Sequence, residues 1–215
     1  MLIIMLLVEI ITPVKVGGGG LPITYIEDGI NAYNDALDAK NKMIENELLQ
    51  KAIIANKKEK LRKGEYRISR YIRGVDNRLR WNNYTNVISR LESSNRYYVR
   101  NQYGYLGKYQ ISRKYLSNLG YEGNEDDFLK DKIGQETTMV NYTFNNIKLI
   151  RKYHLTKYIG TEINGIEITL FGMMASAHLV GVKSLDEYLD SNGTTIHKDG
   201  NDTSIEKYMK AFDIS

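Results

Sequence analysis

Residues 27–63 contain no proline and, beyond Gly29, no glycine. A stretch that long without a breaker is expected to form a single α-helix. Ile30, Tyr33, Leu37, Met43, Ile44, Leu48, Ala52 and Ala55 give it an imperfect apolar stripe. Lys57, Lys58, Lys60, Arg62 and Lys63 crowd its far end, where cations suit the helix dipole, and Gly64 is the expected stop. A helix of this kind serves as a stalk, an oligomer contact or a tether. The 215 residues leave room for one further domain, and 42% apolar content is enough for its core. The expected division is an apolar N-terminal segment with a glycine hinge over 1–22, a basic helical extension over 23–78 and a globular domain over 79–215.

Inside that domain the stretch Ile88–Ser112 stands out. Glu92 is its only carboxylate, and no other Asp or Glu occurs between Asp76 and Glu122. Tyr84, Val87, Ile88 and Leu91 recur at helical spacing, so a helix over Trp81–Glu92 carries Glu92 to its C-terminal end. The negative end of the helix dipole and burial against tyrosines both disfavour the ionised carboxylate. A carboxyl kept protonated near neutral pH is what a general acid requires. Ser93 to Tyr109 is too rich in Asn, Ser, Gly and Tyr for a helix and reads as loop with short strands.

The remaining chain reads as helical. A short helix over Ile111–Leu119 stops at Gly120. Another runs from Asn124 to about Tyr153, with Asp126 and Asp127 in its first turn and Gly134 as an interior flaw. A tight connection spans 159–166, followed by a small-residue, buried helix over Thr169–Leu179. Leu185–Leu189 suits a short helix, and Thr203-Ser204-Ile205-Glu206 a capping box for a last helix through Phe212.

Glu92-Ser93, followed by Gly104-Tyr105-Leu106-Gly107-Lys108-Tyr109-Gln110, resembles the lysozyme-like soluble lytic transglycosylases. In that family a Glu-Ser pair carries the catalytic acid, and a Gly-containing segment ending in Gln follows. The usual third motif, Ala-Tyr-Asn-x-Gly, has its counterpart in Ala177-His178-Leu179-Val180-Gly181, with His and Leu in place of Tyr and Asn. A variant associated with phage and secreted murein-degrading domains also ends in Gly-Thr-Ser-Ile-x-x-Tyr-Met, and Asp202-Thr203-Ser204-Ile205-Glu206-Lys207-Tyr208-Met209 is similar to it. Gln135-Glu136 is a further local similarity. The resemblance covers about residues 80–215. It implies a mainly α, α+β lysozyme-like fold: a helical catalytic domain with a small sheet beside the cleft, preceded by the long N-terminal helix.

The resemblance implies that Glu92 protonates the glycosidic oxygen between N-acetylmuramic acid and N-acetylglucosamine in peptidoglycan and then acts as a base. Ser93, Tyr105, Tyr109, Gln110 and His178 become candidates for substrate binding. Tyr105 and Tyr109 would form an aromatic wall for sugar faces, and Gln110 would meet an acetamido group or a backbone amide. Each also has a plain structural reading: Ser93 as a helix end, the tyrosines and His178 as core, Gly104 and Gly107 as backbone geometry. An ordinary glycosidase uses two carboxylates. A lytic transglycosylase uses one, because the C6 hydroxyl of N-acetylmuramic acid attacks its own anomeric carbon to give a 1,6-anhydro product. The lack of Asp or Glu over 93–121 suits the second chemistry, while Glu122, Asp126, Asp127 or Glu136 folding over the cleft would suit a muramidase. No metal or cofactor is called for. His154 and His197 suggest no metal triad, and Asp199-Gly200-Asn201-Asp202 reads as a surface turn rather than a calcium loop.

Zero cysteines exclude disulfides and thiolate metal sites. Residues 40–80 hold 13 Lys or Arg against 5 Asp or Glu, in a chain whose net charge is only +4. That asymmetry suggests polyanion contact over 57–80, or a solvated helix face. Met1–Ile11 is too short to span a bilayer and reads as an export signal, a buried strand or docking segment in a larger assembly, or a membrane-surface anchor. The expected setting is a phage virion or the bacterial envelope, with residues 1–78 meeting other components of the assembly. The rivals are a non-catalytic structural or glycan-binding virion protein of lysozyme-like shape and, more weakly, a nucleic-acid binder.

Overall fold

The computed structural model describes residues 23–213, with side chains from residue 29 onward. The apolar segment and glycine hinge expected over 1–22 lie outside the described residues. The described chain is mainly helical. In order it forms α1 (Ile23–Val75), α2 (Trp81–Ser93), α3 (Arg113–Asn118), α4 (Glu125–Lys130), α5 (Lys132–Lys152), a 3₁₀ turn (Leu155–Tyr158), β1 (Glu162–Ile163), β2 (Ile166–Glu167), α6 (Leu170–Val180), α7 (Val182–Asp190) and α8 (Ile205–Lys210). Contacts divide the chain into a unit ending at Ile53 and a compact unit from Ile54 to Ser215.

In the first unit the described residues form the N-terminal part of α1, with large apolar side chains open to solvent. The second unit has one core, and α1 contributes to it. Gly64 does not stop the helix as expected. It lets α1 pass close to α5, where a Cβ on Gly64 would stand 2.9 Å from Val140 Cγ1. One and two turns further on, Ile68 and Ile72 are fully buried with Leu79, Trp81, Tyr84 and Ile88. Burying each isoleucine stabilises the fold by about 1.5–3 kcal/mol. Part of the segment expected as an extension, from Ile54 onward, thus groups with the compact unit by its contacts.

α6 is the central helix. Every residue from Leu170 to Ala177 is buried, which suits its run of small and apolar side chains. Gly172 lets α8 approach, so that a Cβ there would lie 3.5 Å from Met209 Cα. Thr169 caps α6 by accepting from the Gly172 amide at 2.9 Å. α5, α7 and α8 pack around α6.

Two further expectations change. The helix expected from Asn124 to Tyr153 breaks at Asp131, whose carboxylate caps α5 by accepting from the Gly134 amide at 2.9 Å. Gly134 thus lies in the first turn of α5, not in a helix interior. The capping residue of α8 is Ser204, which accepts from the Lys207 amide. Glu206 instead accepts from Asn164 and Tyr188.

The strands expected over Ser93–Tyr109 do not form. Positive φ at Ser94, Asn95, Gly104, Gly107 and Gln110 interrupts the extended backbone a strand needs, leaving the isolated bridges Arg100–Leu106 and Leu106–Ile111. The two-stranded sheet lies at 162–167, across the connection expected to be merely tight. Asn164 and Gly165, both at positive φ, supply the Asn-Gly hairpin turn.

Candidate active site

Glu92 is the penultimate residue of α2. The helix ends through Ser94 in the left-handed region, with the Ser94 and Asn95 amides donating back to Arg90 and Ser89. Ser93 then ties this end to the following loop. Its hydroxyl donates to the Lys108 carbonyl at 2.8 Å and accepts from the Arg96 amide at 3.0 Å. Ser93 is buried and holds the loop in place.

The Glu92 carboxyl is mostly enclosed, with 14% of its side chain exposed. Tyr208 on α8 donates its hydroxyl to Oε1 at 2.8 Å, and His178 Nε2 on α6 lies 3.4 Å from the same oxygen. His178 Nε2 also bonds to the Tyr109 carbonyl at 3.0 Å. A carbonyl only accepts, so Nε2 carries the ring proton and donates it to Tyr109, with Glu92 Oε1 beside that bond. Nδ1 is buried without a partner, and the ring stands edge-on to Tyr142, 5.0 Å between centroids. Oε1 is therefore the oxygen that accepts from Tyr208.

Burial raises the Glu92 pKa above the ordinary carboxylate value. His178 and the Tyr208 hydrogen bond pull it down in part, and the charge of Asp199 pushes it up. The Tyr208 phenol is raised in turn by its own burial and by Glu92. The Tyr142 phenol is pushed up to about 12, first by burial, with Glu92 and Tyr105 adding to it.

The expected binding residues separate. His178 meets Glu92. Tyr105 is exposed, on a turn whose Asn101 side chain accepts from the Tyr103 and Tyr105 amides. Tyr103 reaches across to donate to the Gly200 carbonyl at 3.0 Å, linking this turn to the one holding Asp199. Tyr109 forms no aromatic wall. Its ring is 1% exposed, and its hydroxyl donates to Glu136 at 2.7 Å. Gln110 is buried at φ 48° and donates within its own turn, to the Gly107 carbonyl at 2.8 Å.

Of the carboxylates considered as second catalytic groups, Glu122 is exposed and the other three have partners of their own. Glu136 accepts from Tyr97, Tyr109 and Lys108 at 2.6–2.8 Å. Asp126 pairs with Arg100, and Asp127 accepts from Asn124. Asp199 accepts from the Asn201 and Thr203 amides, which makes its segment the expected surface turn. Among the described residues no cluster of three metal-ligating side chains occurs.

Sequence reasoning left Tyr208, Tyr142 and Asp199 out of the site. Tyr208 carried a signal, as part of the Tyr-Met ending that resembles murein-degrading domains. Tyr142 lies seven residues after the buried Gln135, on the same face of α5. Asp199 carried no signal beyond turn composition. Comparison of the chain with protein-family models, characterised proteins and solved structures finds no match.

Proposed function

We propose that this protein is a peptidoglycan lytic transglycosylase, with Glu92 as its single acid and base. The observation that carries the reading is the enclosed Glu92 carboxyl, whose Oε1 accepts from Tyr208 and lies 3.4 Å from His178 Nε2, while Oε2 remains for the transferable proton. Oε2 would protonate the glycosidic oxygen. The resulting carboxylate, steadied by the Tyr208 hydroxyl on Oε1, would take the proton from the C6 hydroxyl of N-acetylmuramic acid as it closes the anhydro ring. The commitment of Glu136, Asp126 and Asp127 to other partners supports a one-carboxyl mechanism. Exposed Tyr105 supports a sugar-stacking role. The proposed setting is a phage virion or the bacterial envelope, and exposed Arg67 and Arg70 on α1 are cations available to an anionic surface.

Asp199 favours a second reading. Its charge is felt at Glu92, and it comes from a different loop, the arrangement a muramidase would use to position water. Digestion of purified peptidoglycan, with products read by mass spectrometry, separates the two. Anhydro-muropeptides from wild type and Asp199→Asn, but not from Glu92→Gln, are the expected result. Reducing-end products lost in Asp199→Asn would favour the muramidase. Absence of products from wild type across several wall types would leave a non-catalytic glycan-binding role.

A further inference from the structure

The N-terminal part of α1 presents an apolar face that no described residue covers. Ile30, Tyr33, Leu37, Ile44 and Leu48 are each 41–59% exposed. Together with Asn41 and Ala52 they follow each other at intervals of 3, 4, 4, 3, 4 and 4 residues, an 11-residue repeat. A repeat of about 3.67 residues per turn stays in line along a nearly straight helix, so these side chains form one continuous stripe.

The charges nearest the stripe are sorted. With an advance of about 98° per residue, Lys40 and Lys51 fall about 65° to one side of the Leu37–Leu48 line and Glu45 about 65° to the other. Lys51 currently pairs with Glu47 along the helix, and both side chains are about two-thirds exposed. In a parallel pair of identical helices, opposite edges meet. Glu45 of one chain then lies between Lys40 and Lys51 of the other, and Asn41 faces Asn41. In an antiparallel pair like edges meet, so the lysine edge faces the lysine edge, and Asn41 faces an apolar residue of the stripe. A polar residue in an apolar seam specifies register when it meets its own kind.

We infer that two copies of this chain associate through α1 as a parallel, in-register pair along the Ile30–Ala52 stripe. The occupant of the exposed face is a second copy of the protein, and the inference is independent of the activity proposed above.

The full chain is the material for the test, and its lack of cysteine makes the chemistry clean. Light scattering should give twice the 24.8 kDa chain mass. Leu37→Cys should form a disulfide-linked dimer under mild oxidation, since in register the two introduced thiols face each other. Leu48→Asp should weaken association by about 100-fold or more by placing an unpaired charge in the seam. Its thermal unfolding should stay that of wild-type core, because Leu48 is exposed in the single chain. A mass of one chain at all concentrations would overturn the inference, including the case in which residues 1–22 cover the stripe. Cross-linking only when Leu37→Cys is mixed with Leu48→Cys would overturn the parallel arrangement. Unchanged association of Leu48→Asp would show that the stripe is not the seam.

Discussion

Glu92 combines two costs that function can use: a carboxyl out of water, and a negative charge close to that of Asp199. Because its folded pKa is raised, its contribution to stability is fully present below the ordinary carboxylate value and is lost as pH rises through the folded value. Glu92→Gln keeps an oxygen for Tyr208 and removes the charge. It should raise the melting temperature at pH 7, by roughly 2–4 °C per kcal/mol relieved. The gap to wild type should close as pH falls below the carboxylate range. The same variant should lower turnover by about 10²–10⁴-fold, the usual worth of a general acid. Wild-type activity should fall on the alkaline side as Glu92 ionises. Tyr208→Phe removes a donor that favours the ionised form, so its alkaline limb should move to higher pH while the maximal rate drops. A limb unmoved in Tyr208→Phe would mean that Glu92 does not set it. Glu92 itself was legible in the sequence because it is the only carboxylate in a long stretch. The orientations of Ser93, Tyr109 and Gln110 were not, because positive φ at Ser94, Gly107 and Gln110 redirects the chain at each point.

At the scale of elements, the helices were legible where the apolar pattern was strong, by helical spacing in α2 and by an unbroken run of small and apolar residues in α6. Their ends were not always so, because packing across the fold overrode local signals. Gly64 illustrates this. A glycine after five cations reads as a helix stop, yet α1 continues to Val75 because Ile68 and Ile72 reach the core. Intrinsic helix propensity favours Ala over Gly by about 1 kcal/mol. Gly64→Ala should nonetheless destabilise by about 1–3 kcal/mol through overpacking against Val140. The midpoint of urea unfolding measures this, and Gly64→Ala with Val140→Ala should recover part of the loss. Asp131 likewise ends one helix, caps the next and pairs with Lys57 at 2.7 Å. Asp131→Ala should cost about 0.5–2 kcal/mol, mainly through the lost cap.

At the scale of the whole molecule, the segment expected as a separate extension is divided. A chain beginning at Ile54 should unfold cooperatively, with the same midpoint as the compact unit of the full protein. A chain beginning at residue 79 lacks Ile68 and Ile72 and should fail to give a cooperative transition; a sharp one would show that α1 is dispensable to the core. The loop from Tyr97 to Lys108 depends on distant chain in a similar way. The buried Gln135 amide on α5 accepts from the Lys108 amide at 2.8 Å and donates to the carbonyls of Tyr97, Phe128 and Leu129 at 3.0–3.2 Å. A Cβ on Gly107 would overlap that amide. The loop beside Glu92 therefore depends on docked α5 for its shape. Once formed, the Lys108 amide should exchange its hydrogen only when the entire domain opens, as slowly as a helix interior although it lies in irregular chain.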